Sequence, residues 1–208
     1  MAKVRTLLFA GGTVHDSKGC GDEIEKAIRA AGHFDLTRVD EDLSVFEPPN
    51  LDPFELVVFY YTRGQISDAQ KNGLLNWLAR GGGFVGIHSA TISFPDCPEF
   101  ISMVGGSFLT HPPIRQYQVS VVDPEHPITE GIEQFFVEDE QYIMDYDRRV
   151  NILASALWKG DRMPVAWTKP WGNGRVFYLA LGHNAEACRD GNFKLLLERG
   201  ALWAAGRE

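Results

Sequence analysis

The chain has 208 residues, 44% of them hydrophobic and 23% charged, with 20 Lys and Arg against 28 Asp and Glu for a formal net charge of −8. Length and composition place it among single globular domains with apolar residues enough for a full core, and exclude disordered and fibrous classes. The acidic balance, with no Lys/Arg-rich run, excludes nucleic acid as the main partner, and no segment approaches the ~20 apolar residues of a membrane span.

Val4 to Ala10 is short, apolar and rich in β-formers, and it stops at Gly11-Gly12, so it reads as a buried strand. The next element is a helix from Asp22 to Ala31, with Ile24, Ala27, Ile28 and Ala31 at helical spacing and Gly32 as its stop. A short strand near Leu36 to Val39 precedes a continuous apolar run, Leu56 to Tyr61. Ser67 is placed to cap a helix that carries Leu74, Leu75 and Leu78 on one face and ends at Gly81-Gly82-Gly83. Phe84 to Ile87 is again a buried strand. Uniformly apolar strands alternating with helices indicate a parallel sheet covered on both faces.

The second half has a different pattern. Gln116 to Asp123 alternates, as in a more exposed or antiparallel strand. Strands follow at Ile152 to Leu157, Pro164 to Thr168 and Arg175 to Leu181. The last two flank Trp171-Gly172-Asn173-Gly174 and so predict a hairpin. Asn192 to Ala205 reads as a closing amphipathic helix. Tyr60 and Trp167 lie inside predicted strands, so one of the two is expected to point inward, and Trp77, inside a helix, is expected in the core.

In open α/β sheets, ligands bind at the carboxyl ends of the strands. Those ends carry His15-Asp16, Tyr61-Thr62-Arg63, His88-Ser89 and Gly182-His183-Asn184, so three of the six histidines follow predicted strands. The glycine runs match neither a P-loop nor a dinucleotide fingerprint, and no lysine is placed for phosphates, so nucleotide binding is not expected. Cys20, Cys97 and Cys188 are odd in number and lack C-x-x-C spacing. Reduced thiols and a cytoplasmic setting are expected, the more so because the first apolar stretch is too short for a secretory signal.

Three stretches carry a family resemblance: Gly11-Gly12-Thr13-Val14-His15-Asp16, Gly81 through Ala90, and Pro164 through Trp167 continued by Gly174 through His183. Gly105 to Phe108 with His111-Pro112-Pro113, and His126 to Thr129 with Asp139 to Tyr142, fit the same pattern in the same order. In these motifs the chain resembles the ThuA (trehalose utilisation) family over almost its whole length, as a single domain spanning 1–208. The resemblance implies an α/β, flavodoxin-like fold of the class I glutamine amidotransferase type: a mostly parallel sheet, helices on both faces, and an antiparallel hairpin near the C-terminus. It also implies a role in carbohydrate metabolism, on a disaccharide or keto-sugar.

Amidotransferases of this fold hold a nucleophilic cysteine in a strand-to-helix turn, and in the run Gly86-Ile87-His88-Ser89-Ala90 a histidine stands in its place. An imidazole cannot form the usual thioester, so glutamine hydrolysis by that route is not expected. His183 keeps the position of the second landmark, but the carboxylate that should follow it is displaced.

On a flavodoxin-like sheet, His15, His88, His183 and Glu140 form the expected catalytic set, with His88 or His183 as base, the other as acid, and Glu140 orienting a histidine or binding hydroxyls. Asp16, Arg63, Ser89, His111, Tyr142 and Asn184 form the expected substrate-binding set. The expected ligand is a small-molecule sugar or keto-sugar. Two alternatives stay open: a non-catalytic sugar-binding or assembly domain, and a metal-dependent hydrolase in which His15, His88 and His183 hold a divalent transition metal. An exposed edge strand in the second half leaves room for a homo-oligomer.

Overall fold

The computed structural model describes residues 2–207. Its elements follow the apolar pattern in chain order. β1 (Val4–Gly12) leads into α1 (Ser17–Ala31), then β2 (Phe34–Asp40) and β3 (Leu56–Thr62). α2 (Asp68–Ala79) and β4 (Gly83–Ile87) follow, then α3 (Pro98–Val104), which enters on a proline at its first position. The second half is strand-rich: β5 (Gly106–Thr110), β6 (Arg115–Val121), β7 (Phe135–Asp139), β8 (Ile143–Tyr146), β9 (Asn151–Trp158), β10 (Asp161–Trp171) and β11 (Gly174–Leu179). α4 (Gly191–Ala204) closes the chain.

Helix starts are fixed by side-chain caps. α1 begins at Ser17, five residues before its apolar stripe predicts, because the Asp16 carboxylate accepts the Gly19 N–H at 2.8 Å. α2 opens on a full capping box: Ser67 accepts from the Gln70 N–H, and the Gln70 side chain accepts from the Ser67 N–H.

Nine strands form one sheet in the order β2-β1-β3-β4-β11-β10-β9-β6-β7, while β5 and β8 pair separately. The first five strands in that order are parallel. This is the flavodoxin-like 2-1-3-4-5 order with β11 as the fifth strand. The expected β10–β11 hairpin is present and turns at Gly172, whose φ of 58° suits the first central position of a two-residue loop. It is the start of a larger antiparallel part, since β9, β6 and β7 continue the sheet beyond it.

Alternation along the strands gives two cores. Leu8, Val58, Val85 and Phe177 face α1 and α4 and meet Ile24, Ile28, Phe193 and Leu197. Phe9, Phe59 and Phe84 face α2 and α3 and meet Leu74, Trp77 and Phe100. Trp77 is buried as expected, and Tyr60 and Trp167 are both buried rather than only one of them. β10 is bulged between Pro164 and Trp167, where Pro164 brings no N–H to the ladder. Bulges add twist, and the antiparallel part curls until the end of β7 meets the segment following β11. Among the described residues no helix is long and apolar enough to cross a membrane.

Candidate functional site

All five parallel strands leave the sheet near a backbone with positive φ: Gly12 at 98°, Glu41 at 62°, Arg63 at 52°, His88 at 42° and Gly182 at 101°. Left-handed residues turn the chain sharply, and these turns gather polar side chains over the carboxyl edge of the sheet. His88 follows β4 directly and is wholly buried. Its Nδ1 lies 2.7 Å from the Ala180 carbonyl, and its own carbonyl accepts the Tyr178 hydroxyl at 2.7 Å. His15, on the loop after β1, has Nδ1 2.7 Å from the Thr62 hydroxyl at the end of β3.

His183 and Glu140 are tied to each other through the backbone. The buried Asp139 carboxylate accepts the N–H groups of Gly182 at 2.7 Å, Glu140 at 2.8 Å and His183 at 3.1 Å. That clamp carries the Glu140 side chain into a ring of imidazoles. Its Oε2 lies 3.1 Å from His183 Nδ1, 3.5 Å from His88 Nε2 and 4.0 Å from His15 Nε2. Its other oxygen, Oε1, is 2.9 Å from His111 Nδ1. Burial alone would raise the Glu140 carboxyl, but its contacts with His15, His183 and His88 outweigh burial and hold it well below the usual range. Burial lowers His15, whereas the Glu140 carboxylate raises His183.

The protonation pattern is constrained by hydrogen bonds. A carbonyl only accepts, so the His88 Nδ1 facing Ala180 carries a hydrogen. Neutral His88 therefore presents a bare Nε2 to a carboxylate oxygen, which is repulsive unless a cation or a second proton lies between. His88 Nε2 and His183 Nδ1 are both buried without a hydrogen-bond partner; His183 Nδ1 is near Glu140 but out of line for one. One ligand atom from each of His15, His88, Glu140 and His183 lies within 4.8 Å of the others. A tetrahedral ion with bonds of about 2.1 Å needs ligand separations of about 3.4 Å, and the three nitrogens stand at 3.1, 3.5 and 4.0 Å from Glu140 Oε2. The donor set, three imidazoles and a carboxylate, fits a divalent transition metal, and the Ala180 carbonyl and Thr62 hydroxyl supply the outer contacts that orient such ligands.

The four residues of the expected catalytic set thus come together. Among the expected substrate-binding residues, His111 and Tyr142 join them: the Tyr142 ring lies 4.0 Å from the His88 ring, and Phe108 continues the aromatic wall 4.5 Å further on. Ser89 is buried with its hydroxyl unpartnered, and Arg63 is exposed after β3. Asp16 and Asn184 serve local turns, since Asp16 caps α1 and Asn184 Oδ1 accepts the Ala187 N–H at 2.9 Å. Sequence reasoning missed Asp139 as a clamp and Thr62 as the partner of His15. Thr62 ends a buried strand beside Arg63, a position that could have flagged it.

Fold and site together define a flavodoxin-like α/β domain bearing a His/Glu cluster at the carboxyl edge of its sheet. The chain belongs to the ThuA (trehalose utilisation) family, whose pattern matches residues 5–204. A protein of Parabacteroides merdae ATCC 43184 described as ThuA-like is similar in structure, with a TM-score of 0.89 at 24% identity over 98% of this chain and 90% of that one. A ThuA-like protein of Bacteroides uniformis ATCC 8492 gives 0.81 at 23% identity over 98% and 92%. A cytoplasmic protein of Salmonella typhimurium LT2 gives 0.71 at 13% identity over 96% and 99%. At these identities the likeness shows the fold. Among curated proteins, none matches the chain.

Proposed function

We propose that this protein is a metal-dependent enzyme of carbohydrate metabolism, with a divalent transition metal held by His15, His88, His183 and Glu140. The supporting observation is the buried Nε2 of His88, which faces the Glu140 carboxylate at 3.5 Å without a hydrogen-bond partner, with His183 Nδ1 likewise unpartnered beside it. The family's link to trehalose utilisation supports a sugar as the ligand. A bound ion would supply Lewis-acid polarisation of a carbonyl or hydroxyl oxygen. The chain's own groups do the rest. Tyr142 packs between Phe108 and His88 and backs the His88 ring, and His111 stands on the solvent side of Glu140, placed to pass a proton.

A second reading has its own observation. The His15 and His183 rings are packed edge to face 5.0 Å apart, and burial lowers His15 while Glu140 raises His183, so one substrate lying against both would meet a base and an acid side by side without an ion. Elemental analysis of protein purified without a metal-binding tag, followed by zinc, cobalt and manganese titration of chelator-treated protein, separates the two. About one ion per chain is expected, lost in His88→Ala and in Glu140→Gln. Failure of the folded wild-type protein to take up any of the three ions would leave the acid–base pair as the working mechanism.

A further inference from the structure

Arg63 is the residue after β3, and it holds φ at +52°, in the left-handed region that side-chain-bearing residues rarely adopt. Its neighbours are pinned: the Thr62 carbonyl accepts the Thr13 N–H at 3.0 Å, and the Gly64 N–H donates to the Ser93 carbonyl at 2.8 Å. The strain is therefore built in. Among the described residues every other arginine makes at least one side-chain hydrogen bond. Arg63 makes none and has no ion pair, in a chain where Asp and Glu outnumber Lys and Arg 28 to 20. Arg38 is the contrast, taken up by Asp22, Glu25 and Asp40. On the same segment, Thr62 holds His15. Arg63 is thus an unspent cation, set on strained backbone at the rim of the cluster, where fixed strain and function commonly coincide.

We propose that Arg63 recognises an anionic group, a carboxylate or a phosphate, on the sugar whose oxygen meets the histidine cluster. This rests on the cluster being the ligand site and narrows the ligand from sugars in general to acidic ones. A guanidinium fork matches either anion with two parallel hydrogen bonds. Calorimetric titration of zinc-loaded protein with gluconate and glucose 6-phosphate, against neutral glucose and trehalose, tests it.

At least one anion should bind more tightly than both neutral sugars, and the better of the two identifies carboxylate or phosphate. Arg63→Gln should weaken that anion roughly tenfold or more, with neutral-sugar binding and zinc content unchanged. Arg63→Gly should lose the same affinity without a lower thermal midpoint, because glycine takes this φ freely. Anions bound no better than neutral sugars, or bound equally by wild type and Arg63→Gln, would overturn the proposal. Metal uptake, measured on the same samples, reports on the metal reading separately: a wild type that takes no zinc, cobalt or manganese yet binds an anion through Arg63 sinks the metal centre alone.

Discussion

At the scale of single residues, Asp139 governs the site without facing the ligand. Its carboxylate accepts three main-chain N–H groups, two of them from the residues that carry His183 and Glu140. Burial raises its pKa, and the three N–H bonds oppose that rise. Asp139→Asn keeps the shape but turns an NH2 toward one of those donors. A buried donor left unmet costs about 1–3 kcal/mol, so we expect a lower urea midpoint at unchanged slope, together with weaker zinc binding. Wild-type values for both would mean that other contacts hold the Gly182–His183 segment. The histidines of the cluster were legible because strand ends place them. Asp139 and Glu140 were legible only through resemblance, in the run Asp139 to Tyr142, and nothing in the sequence marked Asp139 as a clamp. The tautomer of His88 depends on the Ala180 carbonyl, and a backbone carbonyl has no signature in sequence.

At the scale of elements, the contact of α4 with β11 sets two known effects against each other. Gly200 lies inside α4, and a Cβ there would come within 2.1 Å of the Phe177 ring. Gly→Ala in a helix interior gains about 1 kcal/mol, whereas overpacking costs about 1–3 kcal/mol. Phe177 is fully buried between β11 and the helix and has nowhere to move, so overpacking should win. We expect Gly200→Ala to lower the thermal midpoint by roughly 2–4 °C per kcal/mol of net loss. A raised midpoint would show that the ring yields. Strong periodicity and the Ser67 capping box made α2 and α4 readable, and continuous apolar runs did the same for β1, β3 and β4. β5, β7 and β8 were missed because they are only four or five residues long and are fixed by their partners rather than by any pattern of their own.

At the scale of the whole molecule, the parallel half follows from local patterns, but the curl of the antiparallel half does not, and the curl is what delivers Glu140. The cluster consequently joins segments at positions 15, 88, 140 and 183 that the unfolded chain holds far apart. An ion bound there favours the native state alone and stabilises it by RT ln(1 + [L]/Kd), about 2.7 kcal/mol at a hundredfold excess over Kd. At 2–4 °C per kcal/mol, zinc returned to chelator-treated protein should raise the thermal midpoint by roughly 5–10 °C. His88→Ala should show no such rise. Glu140→Gln adds a contrast of sign. If the histidines are charged partners of Glu140, neutralising it strands several imidazolium groups and lowers the midpoint of ion-free protein. If His88 is neutral and faces Glu140 with a lone pair, the same change removes a repulsion, and the ion-free midpoint holds or rises. Differential scanning calorimetry of the two ion-free proteins at one pH therefore decides which cation the carboxylate is built to meet, a proton or a metal.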